Sequence, residues 1–207
     1  AFRESDPLGG YDPYSASKAC SELVTGSYKN SFLAASGAAV STARAGNVIG
    51  GGDFAKDRIL PDCVRAAIRK ESIVVRNPYS VRPYQHVLDP LDGYLEIARR
   101  QYESPALAGN YNIGPDVSDC VTTGELTTLF CEAWGEGMHW EHRPDGGPHE
   151  ASFLRLDCAH IADTLGWTPK WHIDEAVRRT VEWAKAYRDG ADLRECLLKQ
   201  IHAFDRA

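Results

Sequence analysis

Tyr14 and Lys18 are the residues of this sequence whose types and spacing most directly suggest chemistry. Positions i and i+4 share one face of a helix, so a phenol and an ammonium at this spacing can meet. A phenol has a pKa near about 10 in water and is a poor base at neutral pH, but a neighbouring ammonium favours the phenolate. The pair can then take a proton from a hydroxyl group, although the same spacing also arises by chance at the exposed start of a helix.

Two loop-like stretches of this otherwise acidic chain, residues 50–62 and 76–88, carry positively charged side chains. The formal net charge is -6, so binding of an anionic group requires cations gathered at one place. A guanidinium can form two parallel hydrogen bonds with a phosphate, whereas a lysine ammonium acts as a point charge. The candidate cations in and beside these stretches are Lys56, Arg58, Arg76, Arg82 and His86.

The arginines of the sequence differ in what their neighbours predict. Pro78 and Pro83 flank Arg82 and favour a rigid loop, so Arg82 is predicted to bind a ligand. Arg65 and Arg69 fall on a predicted helix, where a solvated surface position is the simpler interpretation.

Asn47 follows a predicted buried strand over 38–44. Ligands of open α/β sheets bind beyond the carboxyl ends of the strands, which makes Asn47 a candidate binding residue. It can equally be a turn residue that tolerates a left-handed conformation. The glycine-rich stretch over 46–53 predicts a sharp turn or a backbone contact.

Hydrophobic periodicity predicts that helices and strands alternate, which is typical of a parallel or mixed α/β fold. Helices are predicted over 14–36, 59–70, 88–103, 122–134, 158–165, 173–188 and 192–204, and extended segments over 38–44, 72–76, 110–113, 139–143 and 153–156. The 207 residues contain no strand followed by a GxGxxG turn and an apolar helix, the usual start of a dinucleotide-binding unit.

Composition excludes several classes of protein. With 43% hydrophobic and 25% charged residues, the chain is typical of a soluble globular protein, and no stretch approaches the roughly 20 apolar residues of a membrane helix. The acidic balance argues against nucleic-acid binding. Six cysteines without a CxxC pair favour free thiols in the cytoplasm. His139, His142, His149 and Glu150 match no zinc spacing, so no metal site is predicted.

Longer motifs resemble the extended branch of the short-chain dehydrogenase/reductase family. Tyr14-Ser15-Ala16-Ser17-Lys18 is followed by Arg44-Ala45-Gly46-Asn47-Val48-Ile49-Gly50. Within that branch, residues 50–62, 76–88 and 148–151 are similar to the CDP-glucose 4,6-dehydratases, with departures at Phe54, Tyr84 and Phe153. The resemblance runs from about Pro7 to the last helix.

The resemblance implies a redox-neutral lyase that uses NAD and acts on CDP-glucose. Tyr14 would be the base and Lys18 its partner, both also contacting NAD, and Ala45 would lie beside the nicotinamide. Contacts with the sugar nucleotide are implied for Asn47, Arg58, Arg76, Arg82, His86, His149 and Glu150. The resemblance further implies a homodimer formed through the helix from Tyr14 to Ala35.

In that family the chain would be the C-terminal portion of a Rossmann-like enzyme together with its smaller α/β substrate-binding domain. Residues 1–50 would be the distal part of the NAD-binding domain. Residues 51–207 would mainly bind the sugar nucleotide, with a return segment near 84–115 that joins the Rossmann sheet. The lack of a glycine turn, of the family's upstream acid/base pair and of an initial Met predicts a fragment that is inactive by itself.

Two alternatives stay open from the residues alone. One is another nucleotide-sugar epimerase or dehydratase of the same branch, which the motif over 76–86 argues against. The other is a non-catalytic module that binds a nucleotide sugar.

Overall fold

A computed structural model of the chain describes residues 1–144 and 153–207, in which seven α-helices and eight short strands alternate. The helices are α1 (Pro13–Tyr28), α2 (Ile59–Arg69), α3 (Leu88–Glu103), α4 (Thr123–Trp134), α5 (Ala159–Leu165), α6 (Ile173–Arg188) and α7 (Leu193–Phe204). The strands are β1 (Thr42–Ala45), β2 (Asn47–Ile49), β3 (Ile73–Val75), β4 (Val81–Arg82), β5 (Tyr84–His86), β6 (Asn110–Ile113), β7 (Val121–Thr122) and β8 (Trp140–His142). The predicted mixed α/β class is confirmed.

The strands form four pairs, three of them parallel. β1 pairs with β6, β2 with β5 and β3 with β8 in parallel, whereas β4 pairs with β7 antiparallel. In register, Ala45 lies opposite Ile113, and Asn47 lies opposite Tyr84. The segment 84–113 therefore contributes one strand to each of the first two pairs, and β1 and β2 follow each other directly along the chain.

Gly46 is the single residue between β1 and β2. Its N–H donates to the carbonyl oxygen of Ile113 at 2.9 Å, and the next N–H, from Asn47, donates to Pro83 at 2.9 Å. A Cβ atom at position 46 would lie 2.6 Å from the Pro83 oxygen, closer than real Cβ contacts allow. The chain thus passes from one strand pair to the other within one residue, and only glycine permits that approach.

Two clusters of buried side chains form the core. The larger joins α2, α4 and α6 with β2, β3 and β5; among its members are Leu60, Cys63, Val75, Leu126, Phe130, Val177 and Val181. The smaller joins α3, β6 and α5 and consists of Ile97, Tyr111, Ile113, Ile161, Leu165 and Trp167. The return segment near 84–115 therefore has strand or core contacts with β1, β2 and α5, and the proposed domain boundaries remain a prediction.

Several elements differ from those that periodicity predicts. The helix expected over 14–36 is α-helical only to Tyr28; a π-helical turn (Lys29–Leu33) and a 3-10 turn (Ala34–Ser36) follow, and the helical stretch ends at Gly37 with φ +74°. The strand expected over 38–44 is shorter, and β2 begins inside the predicted glycine loop. β4 and β7 are two residues long and were not predicted, because two residues carry no periodic signal. The stretch expected to be extended over 153–156 forms only isolated bridges.

The described residues contain no helix long and apolar enough to cross a membrane. All six cysteines are free; Cys63 is buried as a small hydrophobe, whereas Cys20 on α1 is exposed. Outside residues 145–152, no three His, Cys, Asp or Glu side chains cluster as metal ligands would.

Candidate functional site

Asp12 fixes the first turn of α1, which carries Tyr14. Its Oδ1 accepts hydrogen bonds from the N–H groups of Tyr14 at 2.9 Å and Ser15 at 3.0 Å, and the Ser15 hydroxyl donates to Oδ2. Pro13 follows the cap at the first helical position, where its missing N–H costs nothing. The hydrogen bonds from Ser15, side chain first, hold the pKa of Asp12 below its usual value. The position of Tyr14 is therefore set by local sequence.

Tyr14 and Lys18 meet on the exposed face of α1, as their spacing predicts. The Lys18 Nζ lies 5.4 Å from the centre of the Tyr14 ring, and the Tyr14 side chain is 72% exposed. A phenol open to solvent with an ammonium against its ring is accessible to a ligand hydroxyl. The contact is confirmed, and the role of the pair as base and partner stays a prediction.

Glu22 and Arg44 join α1 to β1. Arg44 Nε donates to Glu22 Oε1 at 2.8 Å and Nη2 donates to Oε2 at 3.2 Å, while the Thr42 hydroxyl donates to the same Oε2 at 2.9 Å. The two charged side chains are only 17% and 20% exposed. The Arg44 hydrogen bond is the main reason that the pKa of Glu22 is lowered. Sequence reasoning assigned Glu22 no role, although a lone carboxylate on an apolar helix and an arginine in the next strand were a visible signal.

Ala45 and Asn47 lie on either side of Gly46. Ala45 is the last residue of β1 and is half-buried, and it follows the ion-paired Arg44 directly. Asn47 is exposed and begins β2, so it lies two residues beyond the strand whose end it was predicted to occupy. Strand pairing thus fixes both residues. They lie close in sequence to Arg44, which pairs with Glu22 on α1.

The two cationic loops meet through an ion pair. Arg58 Nη1 lies 3.0 Å from Asp53 Oδ2, and Arg76 Nη2 lies 3.6 Å from Asp57 Oδ1. Because Asp57 precedes Arg58 in the chain, the Arg76 contact brings the two loops side by side. Arg58 and Arg76 remain 67% and 51% exposed, so both guanidinium groups are accessible to an anion.

Arg82 lies in β4, whereas a loop was predicted there. Its Nη1 donates to the carbonyl oxygen of Val81 at 2.9 Å, and its side chain is half-buried. The stretch 145–152 contains His149 and Glu150, which therefore lie outside the described residues. The chain continues beside this strand, since Phe153 bridges Val81 and the N–H of Leu154 donates to the Val81 oxygen at 3.1 Å.

His86 does not belong to the exposed cationic group that the sequence suggested. It is 1% exposed, its ring packs edge-on against Trp171 at 4.8 Å, and its Nδ1 accepts from the N–H of Leu88 at 3.3 Å. Burial, and then the nearby charge of Arg179, lowers the pKa of His86 to about 4. The imidazole is therefore neutral at pH 7, and the prediction that it supplies a cation to the substrate loops is wrong.

Arg65 is a second residue whose role sequence reasoning missed. Its side chain is half-buried, and its two terminal nitrogens donate to the carbonyl oxygens of Phe54 and Ala55, each at 3.1 Å. It also pairs with Asp62 one turn earlier on α2. The prediction of a solvated surface position is wrong for Arg65, because the loop before α2 folds back over the helix, whereas Arg69 is exposed as predicted.

The chain is similar to several enzymes whose names give nucleotide sugars as substrates. The family model described as GDP-mannose 4,6 dehydratase matches residues 1–180. A CDP-glucose 4,6-dehydratase from Salmonella typhimurium is 42% identical over 206 residues, with 97% of this chain and 57% of that protein covered. A dTDP-glucose 4,6-dehydratase from Streptomyces antibioticus is 31% identical over 210 residues, with 97% and 56% covered.

A solved structure shows the same fold. The crystal structure of dTDP-glucose 4,6-dehydratase from Bacillus anthracis in complex with NAD superposes with a TM-score of 0.75 at 20% identity, and covers 92% of this chain and 57% of that one. Together with this fold, the family match and the 42% identical relative place the chain in the extended short-chain dehydrogenase/reductase family. Within that class, the chain belongs to the GDP-mannose 4,6-dehydratase family. It spans a little over half the length of the curated relatives that it matches.

Proposed function

We propose that this protein converts CDP-glucose to CDP-4-dehydro-6-deoxy-glucose as a lyase. The observation that carries the proposal is the Tyr14–Lys18 contact on a capped helix that Glu22 and Arg44 fix to β1. The 42% identity to the Salmonella typhimurium enzyme supports CDP-glucose over other nucleotide sugars. The motif over 76–86, shared with that kind of enzyme, supports a dehydratase over an epimerase.

Tyr14 acts as the base in this proposal. Its exposed side chain takes the proton of the sugar 4-hydroxyl as a hydride leaves C4, and the Lys18 ammonium lies against its ring. The resulting C4 ketone makes the C5 proton acidic, so that water can be lost across C5 and C6. The family places the acid/base pair for that loss before the tyrosine helix, and no residue of the 207 is assigned to it.

NAD is the proposed cofactor, and the residues present fit its nicotinamide end. Tyr14 and Lys18 offer an exposed hydroxyl and an exposed ammonium, and the backbone of Ala45 lies at the end of the adjoining strand. These groups would hold the nicotinamide riboside. When bound, NAD supplies a hydride acceptor that can return the hydride to the same sugar, which keeps the overall reaction redox-neutral.

The diphosphate is proposed to bind to the joined cationic loops. Arg58 and Arg76 offer exposed guanidinium groups that Asp53 and Asp57 hold in place, and Arg82 and Asn47 complete the proposed set. His149 and Glu150 remain proposed contacts on the strength of the family motif. His86 is left out because it is neutral and buried.

The protein is proposed to be a cytoplasmic homodimer formed through α1. No residue of α1 is buried within the chain, and its apolar side chains include Leu23 at 62% and Val24 at 57% exposed. Tyr28 and Phe32 beyond them are 58% and 66% exposed. A helix with so much exposed apolar surface indicates a contact with another protein surface.

Incubation of the full-length protein with NAD⁺ and CDP-glucose tests the proposal. Appearance of the 4-keto-6-deoxy product is expected, whereas a C4-epimerised sugar would assign the protein to the epimerases of the same branch. UDP-glucose and dTDP-glucose in parallel reactions test the choice of base. The 207 residues alone are expected to bind NAD weakly and to form no product, because they contain no glycine turn for the pyrophosphate.

A further inference from the structure

The loop between β2 and α2, residues 50–58, is held from two sides by residues outside it. On one side, the Gly51 backbone lies against the indole of Trp183 on α6, so closely that a Cβ atom at position 51 would fall 2.1 Å from the ring. Gly52 follows with φ +86°, a conformation that favours glycine. The first residues of the loop therefore pack against α6 through a backbone contact that only glycine permits.

Phe54 packs against two aromatic side chains of α6, Trp183 and Tyr187, which together are called the aromatic seat. The rings of Trp183 and Tyr187 stack with an interplanar angle of 4° and centroids 5.6 Å apart, and Phe54 packs on both, at 6.1 and 5.2 Å. Tilted and stacked ring pairs at these distances stabilise a structure beyond the area that they bury. Phe54 thereby anchors the middle of the loop, although its own side chain is 53% exposed.

On the other side, Arg65 of α2 binds the loop backbone. Its Nη1 donates to the carbonyl oxygen of Phe54 and its Nη2 to that of Ala55. Asp53 makes two further contacts within the loop: its Oδ1 accepts from the N–H of Ala55 at 2.9 Å, and its Oδ2 pairs with Arg58. Burial would raise the pKa of Asp53, but the hydrogen bonds from Ala55 and Arg58 hold that pKa below its usual value, so the carboxylate remains charged.

We propose that Arg65 and Tyr187 are positioning residues, which set the backbone of the loop so that Arg58 meets a nucleoside diphosphate in a fixed place. The inference rests on the proposed function only for the identity of that anion. Neither residue needs to touch the ligand. A loop that is already ordered loses less conformational freedom on binding, so affinity is greater than for a loop that must be ordered by the ligand.

The test compares variants on both sides of the loop. Arg65→Ala removes both carbonyl contacts, and Arg65→Lys keeps the charge but replaces two separate donors by one nitrogen. Tyr187→Ala removes half of the seat, and Tyr187→Phe keeps the ring. Arg69→Ala, an exposed arginine on the same helix, is the matched control. Two quantities are measured in the full-length protein: hydrogen–deuterium exchange of the amides over 53–58, and the affinity for CDP by calorimetry.

Arg65→Ala and Tyr187→Ala are expected to speed exchange over 53–58 and to weaken CDP binding about tenfold, the effect of losing about 1.4 kcal/mol. Arg65→Lys should give exchange rates and CDP affinity between those of the parent and of Arg65→Ala. Tyr187→Phe and Arg69→Ala should match the parent in both quantities. For CDP-glucose turnover, KM should rise with little change in kcat. Unchanged exchange and affinity in both alanine variants, or full recovery in Arg65→Lys, would overturn the inference. A parent that binds CDP but forms no product would instead overturn the proposed function and leave the comparison of variants intact.

Discussion

The Arg44 guanidinium binds both oxygens of the Glu22 carboxylate and so locks the helix of Tyr14 onto the strand that ends at Ala45. Glu22 lies one turn after Lys18 on α1, and Arg44 immediately precedes Ala45. One half-buried ion pair therefore sets the distance between the proposed base and the proposed nicotinamide site. A charged pair removed from water in this way stabilises the fold only while both partners are present.

Glu22→Gln should destabilise the protein by on the order of 1.5–3 kcal/mol, the scale of hydrogen bonds to a charged group. Urea unfolding measures the loss. Glu103→Gln is the control, since the Glu103–Arg99 pair is exposed on both sides and should contribute much less. Because the pKa of Glu22 is lowered from 4.5, its contribution is present above about that pH and is lost as pH falls through the folded-state pKa. In Glu22→Gln, the free energy of unfolding should fall less steeply with decreasing pH than in the parent. An unchanged pH dependence would contradict the role of Glu22 in holding α1 to β1.

Tyr14→Phe removes the hydroxyl but keeps the ring, so turnover of CDP-glucose should fall by about 10²-fold or more while sugar-nucleotide binding persists. Steady-state kinetics and calorimetry measure the two quantities. Tyr11→Phe is a close control, because Tyr11 is fully exposed and lies before the capped turn. Turnover of the Tyr14 variant within about tenfold of the parent would remove Tyr14 from the base role.

Arg82→Ala should weaken CDP-glucose binding by about 1.5–3 kcal/mol and leave NAD binding nearly unchanged, because its proposed partner is the diphosphate. Titration calorimetry with each ligand measures the difference. Arg194→Ala, an exposed arginine at the start of α7, should affect neither affinity. Equal losses for both ligands would point to a general structural role for Arg82.

Leu23→Glu should convert the proposed homodimer to monomers, because it places a charge within the exposed apolar surface of α1. Sedimentation velocity at micromolar concentration reads the outcome directly. Leu198→Glu adds the same charge at an exposed leucine of α7, outside the proposed interface, and should leave the dimer intact. A parent protein that sediments as a monomer would sink the proposal.

Asp119 links a 3-10 turn (Val117–Asp119) to the start of α6. Its Oδ1 accepts from the N–H of Ile173 at 3.1 Å, and its Oδ2 lies 2.8 Å from His172 Nδ1. That hydrogen bond is the main reason that the pKa of His172 is raised above 6.5, with smaller contributions from Asp116 and Asp174. A raised pKa stabilises the fold below the unfolded value and loses its effect as pH rises through the folded value.

His172→Gln should therefore destabilise the protein more at pH 5.5 than at pH 9. Thermal unfolding across that range, with His160→Gln as a control at another exposed histidine, measures the difference. Equal destabilisation at the two pH values would mean that the imidazole acts by packing alone.

Residues with strong local signals behaved as the sequence predicts. The helix predicted over 122–134 is present as α4, where Thr122 and Glu125 form a capping box, and the spacing of Tyr14 and Lys18 brings their side chains together. His86 and Arg65 could not be predicted in the same way. A histidine among arginines gives no local sign that Trp171 covers it, and a helical arginine gives none that a loop folds back over it. Trp171 is distant from His86 in sequence, and the loop that contacts Arg65 folds back onto its own helix. Hydrophobic periodicity does not encode either kind of contact.

The direct passage through Gly46 bears on how the two halves of the proposed site are joined. Consecutive N–H groups bind Ile113 and Pro83, so no slack backbone separates the strand beside the base from the strand beside the diphosphate loops. Hinge motions require a few residues whose dihedral angles can change freely, and this junction has none to spare. The two halves of the proposed site are thus joined by a junction whose backbone is hydrogen-bonded to a different strand pair on each side.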